Sequence, residues 1–310
     1  MVMQKVVPHL WFDKEAVEAA EFYASVFPES RMTGKMRFED TPSGDGDLVL
    51  LEIWNQKFWA ISAGPLFKFN PSISFMVNFD PLFFGSSDNP AQAAREKLDE
   101  VWNALADGGS VLMPIDKYPF SERYGWVADK YGVSWQLILT NPEGEPRPSI
   151  VPSFLFVGAQ CGRAEEAINL YTSVFENSKI GNIHRYPEGP GPDKAGTVMY
   201  GDFRVDDSWF VAMDSAHEHK FEFNEAVSLL VNCEDQQEID ELTRQLSAEP
   251  ESEQCGWIKD KFGVSWQLSP TVLEDMFVNG TQDQFSRVTK ALMPMKKIDI
   301  ATLEKVFAEA

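Results

Sequence analysis

The sequence predicts an α+β fold built from four βαβββ units, two in each of two tandem copies. Three observations carry this. A thirteen-residue stretch occurs twice, GWVADKYGVSWQL at 125–137 and GWIKDKFGVSWQL at 256–268, with ten positions identical. Other blocks repeat in the same order: EAVEAAEFYASVF (15–27) with RAEEAINLYTSVF (163–175), and FKFNPSISFMVN (67–78) with FEFNEAVSLLVN (221–232). Within a copy, segments of period two alternate with segments of period near 3.6. So long a period marks a duplicated domain rather than a solenoid of short repeats.

The elements follow in order. Val7, His9 and Trp11 share one face of a first strand, with Leu10 and Phe12 on the other. A helix comes next. In the second copy its buried stripe is Ala164, Ala167, Ile168, Tyr171, Val174 and Phe175. Strand-like runs follow at 36–40, 47–55 and 57–62. The pattern restarts with SISFMVNF (72–79), a helix near 91–106, and strands at 111–115, 124–129 and 133–139. The boundary between copies is TNPEGEPRPSI, rich in proline, glycine and charge. The expected organisation is a first domain over 1–140, a linker over 141–150, a second domain over 151–275 and a helical tail over 276–310. The tail has no counterpart in the first half, and Met293-Pro294 should divide it. The second copy is far shorter between Asn232 and Gly256 than the first is between Asn78 and Gly125.

Composition narrows the class. A chain of 310 residues, 44% hydrophobic and 24% charged, reads as globular with two domains. A net charge of −21 argues against nucleic acid and against an anionic membrane surface. No apolar run approaches a membrane span, and the N-terminus lacks a secretory apolar region. Three cysteines, Cys161, Cys233 and Cys255, have no metal-type spacing and fit a reducing cytoplasm.

Together the blocks PHLWF, EAAEFYASVFPES, FKFNPSISF, DKYGVSWQL and MKKIDIATLE resemble the PhnB-like branch of the vicinal oxygen chelate superfamily. Its members often carry the label 3-demethylubiquinone-9 3-methyltransferase. The resemblance covers nearly the whole chain, twice. It implies two glyoxalase-like domains. It implies activity far less, because this fold hosts many chemistries. Single-domain relatives usually dimerise, so a tandem chain is expected to pair internally, as a monomer or weak homodimer.

Metal-using relatives hold a divalent ion with ligands from the first, fourth, fifth and eighth strands of a domain. Carried over, these positions fall on His9, Glu52, Ser72 and Gln136 in the first copy. In the second they fall on Ser153, Phe203, Ala226 and Gln267. Serine and glutamine are poor ligands beside histidine and carboxylate. The expectation is a degenerate metal site and no cofactor. The alternative is an enzyme of lyase, isomerase or dioxygenase type with a divalent ion on His9 and Glu52 of the first domain.

The alternation VSWQL puts Ser134 and Gln136 on one strand face, and Ser265 and Gln267 on the corresponding one. Such residues either bond a small polar ligand or bond each other. The candidate ligand pocket is His9, Trp11, Ser72, Ser134, Gln136, Ser153, Ser265 and Gln267, with Trp126 and Phe75 as further aromatic lining. Asn70 and Asn224 either line the mouth or cap a turn. Cys161 precedes a helix, a place that can activate a thiol. A glycine-rich loop for S-adenosylmethionine is absent, as are P-loop, GxSxG and HExxH motifs. The favoured function is binding of an unknown small molecule.

Overall fold

A computed structural model describes residues 4–41, 44–141, 143 and 145–309. Pro142 and Gly144 of the expected linker lie outside them. The first unit is β1 (Val6–Phe12), α1 (Ala16–Val26), β2 (Arg31–Thr41), β3 (Gly44–Ile53) and β4 (Gln56–Ser62). The second is β5 (Ile73–Phe79), α2 (Pro90–Ala106), β6 (Ser110–Tyr118), β7 (Ser121–Ala128) and β8 (Ser134–Leu139). The third is β9 (Ile150–Phe156), α3 (Ala164–Val174), β10 (Lys179–Arg185), β11 (Val198–Val205) and β12 (Ser208–Asp214). The fourth is shorter: β13 (Val227–Cys233), α4 (Gln236–Leu246), β14 (Trp257–Lys259) and β15 (Ser265–Pro270). Three tail helices follow, α5 (Thr271–Asn279), α6 (Gln282–Leu292) and α7 (Ile300–Ala308).

The fourth unit departs from the βαβββ expectation. Between α4 and β14 it has a single 3₁₀ turn, Pro250–Ser252, where the second unit has β6. Too few residues separate Asn232 from Gly256 to add a strand. The tail takes up the exposed edge. Cys255 N–H donates to Met295 O at 2.7 Å and Gly256 N–H to Lys296 O at 2.8 Å. A Cβ on Gly256 would stand 2.9 Å from Ile298 Cδ1, so the tail sits where only glycine fits.

Strand pairing crosses between the copies. One sheet, A, has the order β14-β15-β13-β1-β4-β3-β2, and the other, B, has β10-β11-β12-β9-β5-β8-β7-β6. Each therefore joins one unit of the first copy to one of the second. The seams are antiparallel, with His9 opposite Ser228 in A and Ser74 opposite Ser153 in B. Their flanks are reciprocal. Asn70 Nδ2 donates to Glu222 O at 3.0 Å and Asn224 Nδ2 to Lys68 O at 2.9 Å. Each asparagine also caps its own turn, accepting from the N–H of Ser72 or Ala226. The turn reading of these asparagines holds, and they also tie the copies together.

The outer faces of the sheets meet the helices and each other. Ser62 Oγ accepts from Ala16 N–H of α1, so Phe58, Ala60 and Ser62 face outward. Phe58 reaches Phe75 of the other sheet at 5.1 Å between ring centroids. Phe75 is thus core, not pocket lining. A Cβ on Gly125 would collide with Trp102 of α2 at 2.5 Å, which fixes the outer face of β7.

The repeated stretch explains the outer packing. Asp129 is buried and accepts from Tyr23 Oη of α1 at 2.8 Å and Trp135 Nε1 at 2.9 Å. Its other oxygen accepts from the N–H groups of Tyr131 and Val133. Asp260 repeats this with Tyr171 at 2.7 Å, Trp266 at 3.0 Å, and the N–H groups of Phe262 and Val264. Burial raises both carboxyl pKa values, and the four donors pull the other way. Each latch ties one unit's helix to the other unit's last strand. No described helix is long and apolar enough to cross a membrane.

Candidate functional site

The faces turned away from the helices carry the candidate residues. Cross-copy pairing divides them differently from the sequence expectation. His9, Trp11, Ser265 and Gln267 come together on the inner face of sheet A. Ser72, Ser134, Gln136 and Ser153 belong to the inner face of sheet B. The set His9, Glu52, Ser72 and Gln136 is therefore not one site. The physical reason is that β1 pairs with β13, and β5 with β9, rather than β1 with β5.

In sheet B the polar floor is bonded to itself. Gln136, 2% exposed, donates from Nε2 to Ser74 Oγ at 2.7 Å and accepts at Oε1 from Tyr124 Oη at 2.7 Å. Trp126 Nε1 donates to Ser134 Oγ at 2.7 Å. Burial pushes the Tyr124 phenol upward, so it stays a donor. Met76, Val151, Trp209 and Val211 form a small apolar cluster on this face, apart from the main core. At its edge the Arg147 guanidinium lies 3.6 Å over the Trp209 ring and pairs with Asp202 at 2.8 Å. Ser153 Oγ is buried without a partner.

In sheet A the equivalent floor is not closed. Gln267 Nε2 donates to Ser228 Oγ at 2.8 Å, matching the Gln136–Ser74 bond. No described protein donor reaches Gln267 Oε1. The position before the repeated stretch is Cys255 here and Tyr124 in the other copy. Ser265 Oγ is buried and unpartnered, where Ser134 has the Trp126 indole. His9, 3% exposed, has Nδ1 buried and unpartnered. Burial lowers its pKa from 6.5 to about 3, so the ring is neutral at physiological pH. Aromatic walls surround these atoms. Trp257 lies edge-on to His9 at 5.7 Å and to Trp11 at 6.1 Å, and Trp11 meets Phe67 at 5.1 Å. Trp11 Nε1 is fixed on Gly64 O at 2.9 Å.

The tail covers the other end of this face. Phe277 of α5 packs on Trp59 at 6.3 Å, and Glu274 pairs with Lys57 at 2.8 Å. Phe285 of α6 packs on Phe38 of β2 at 5.2 Å.

The donor set does not fit a divalent ion. Sheet A offers His9, Ser228 and Gln267, with Leu50 on the same row across β4. Glu52 shares the face on the other side of β1 from Gln267, and each lies two strands and two residues from His9, about 12 Å between Cα positions. Its carboxylate is held by Arg31 at 2.7 Å. In sheet B the row is Asp202, Val211, Ser153 and Ser74, and its one carboxylate is committed to Arg147. Among the described residues no group of three His, Cys, Asp or Glu side chains is placed to hold a metal. Cys161 is not activated, since burial and Asp214 raise its pKa.

Sequence reasoning missed four features. The serines that meet the glutamines are Ser74 and Ser228, each two residues past Ser72 and Ala226. Trp257 and the Tyr124/Cys255 difference were also missed. The last had a signal, because it immediately precedes the ten-of-thirteen identity.

Comparison with known proteins gives the same picture of the fold. The family model described as 3-demethylubiquinone-9 3-methyltransferase matches residues 4–138 and again 148–269, once per copy. The PhnB protein from Bacillus cereus is 32% identical and aligns over 44% of this chain and 100% of its own, with a TM-score of 0.37. Protein PA1353 from Pseudomonas aeruginosa is 23% identical over 45% of this chain and 99% of its own, with a TM-score of 0.36. Glyoxalase I from Zea mays is 10% identical over 89% of this chain and 97% of its own, with a TM-score of 0.51, a likeness of fold. No curated protein matches the chain.

Proposed function

The chain belongs to the family described as 3-demethylubiquinone-9 3-methyltransferase, in a tandem PhnB-like form, and from that membership we propose that it is a small-molecule-binding protein whose site is the inner face of sheet A. One observation carries the reading. On β1 and β15, which flank β13, His9 Nδ1 and Ser265 Oγ are buried without protein partners and the half-buried Gln267 Oε1 has no described protein donor, while in sheet B Ser134 and Gln136 are both bonded and Ser153 Oγ, at the position matching His9, is left unpaired. Buried polar groups in native proteins are normally satisfied, and leaving one unpaired costs about 1–3 kcal/mol. A bound molecule relieves that cost. The aromatic walls of Trp11, Trp257 and Phe67 suit an apolar body on such a molecule.

The methyl transfer named in the family description has no support in this site. Neither His9 nor Gln267 is a competent general base at neutral pH, and the donor set is wrong for a divalent ion. Each copy supplies the other's pairing edge, which supports an internal pseudo-dimer, as a monomer or a weak homodimer.

The test is a small-molecule screen on the full chain, followed through the imidazole nitrogen resonances of its four histidines. Hits should shift His9 and weaken in Gln267→Ala and His9→Ala, but not in Glu52→Gln. Hits that leave His9 unshifted would overturn the assignment.

A further inference from the structure

Sheet B holds an internal guide to what the sheet-A site accepts, given the reading above that sheet A binds the ligand. The Tyr124 phenol donates to Gln136 Oε1, and its ring lies edge-on to the stacked pair Tyr118 and Phe120, at 5.4 and 5.0 Å. Cys255 occupies that position in the other copy. Its backbone turns left-handed, with φ 53°, and its N–H is taken by Met295 O of the tail. Its Sγ points to the carbonyls of Leu292 and Met293, at 3.6 and 3.5 Å. The tail thus draws this residue away from the floor. Meanwhile the far end of each glutamine amide is held alike, on Ser74 at 2.7 Å and Ser228 at 2.8 Å. Gln267 Oε1 is therefore aimed like Gln136 Oε1, without the hydroxyl that Gln136 receives.

Among the described residues, the charged side chains on the strands that form this part of the face are paired. Lys57 pairs with Glu274, Lys259 with Glu225 at 2.7 Å, and Glu52 with Arg31. A carboxylate here would face the Gln267 carbonyl with no spare cation nearby. An ammonium would lack a spare carboxylate.

We infer that Tyr124 is a built-in occupant of the sheet-B site, and that the sheet-A site takes a free, uncharged ligand whose hydroxyl donates to Gln267 Oε1 in the same way. The smallest probe is p-cresol, the tyrosine side chain itself. Its controls are 4-methylanisole, which lacks the donor, and p-toluate, which replaces the donor with a charged acceptor.

The full chain is titrated with each probe and followed by imidazole nitrogen resonances and binding stoichiometry. p-Cresol should shift His9 at one site per chain. 4-Methylanisole should bind about ten-fold more weakly, the value of one hydrogen bond, and p-toluate not measurably. Tyr124→Ala should bind p-cresol at two sites. If that variant does not fold, Gln267→Ala and Gln136→Ala decide: the first should lose p-cresol about ten-fold and the second should not. Equal affinity for p-cresol and 4-methylanisole would overturn the ligand class while leaving the site. One site per chain in folded Tyr124→Ala would overturn the built-in occupant. p-Cresol that binds without moving His9 would overturn the site itself.

Discussion

The inner faces of the two sheets began as copies of one design and now differ. In sheet B the glutamine of the repeated stretch is held at both ends, by Ser74 and Tyr124. In sheet A its counterpart is held at one end, by Ser228. The change follows from one missing strand. Without a counterpart of β6, the tail binds the edge at Cys255 and Gly256, and the residue that would fill the floor is withdrawn. The lesson is that a duplicated motif can keep its scaffold role in both copies while its glutamine is bonded at both ends in only one of them.

The scaffold role should be equal in both. Asp129→Ala and Asp260→Ala each strip the acceptor from four donors and should each cost at least ~3 kcal/mol in denaturant unfolding. If only one of them destabilises the chain, the two latches are not equivalent.

Acid should find sheet A first. The folded-state pKa of His9 is lowered from 6.5 to about 3 by burial, so the unfolded chain binds a proton that the folded one excludes. This contribution is intact above pH 6.5 and is lost as pH falls toward 3, by ~1.4 kcal/mol per pH unit. Unfolding free energies measured across that range should fall less steeply for His9→Asn than for the parent chain. Identical slopes would mean that His9 titrates normally.

The glutamines should separate stability from binding. Gln136→Ala leaves Tyr124 Oη and Ser74 without their bonds and should cost ~2 kcal/mol. Gln267→Ala breaks one bond and should cost under ~1 kcal/mol. Chemical denaturation of the pair measures the difference, and a reversed order would contradict the contrast drawn here. The smallest effect is expected at Glu52, whose partner Arg31 is largely exposed. Glu52→Gln should change stability by ~0.5 kcal/mol or less.

Much of the fold was legible in the sequence because periodicity and repetition are local. The helix near 91–106, the strand run 133–139 and the division of the tail at Met293-Pro294 all lie within a residue or two of the observed elements. The site was less legible. Glutamine at the eighth-strand position and histidine on β1 were visible, but their partners were not. Which strands share a sheet is decided by antiparallel seams between residues far apart in the chain, as His9 with Ser228. Spacing within one copy holds no record of that choice. Asp129 and Asp260 were hidden for another reason, since an aspartate in a turn reads as solvated until its four donors are placed.

Binding on sheet A, with Tyr124 holding the corresponding glutamine of sheet B, can be seen in electron density from crystals of the full chain soaked with p-cresol. One bound molecule is expected, beside His9 with its oxygen on Gln267, and Tyr124 still seated on Gln136. A molecule on the sheet-B face, or one bound only away from His9, would contradict it.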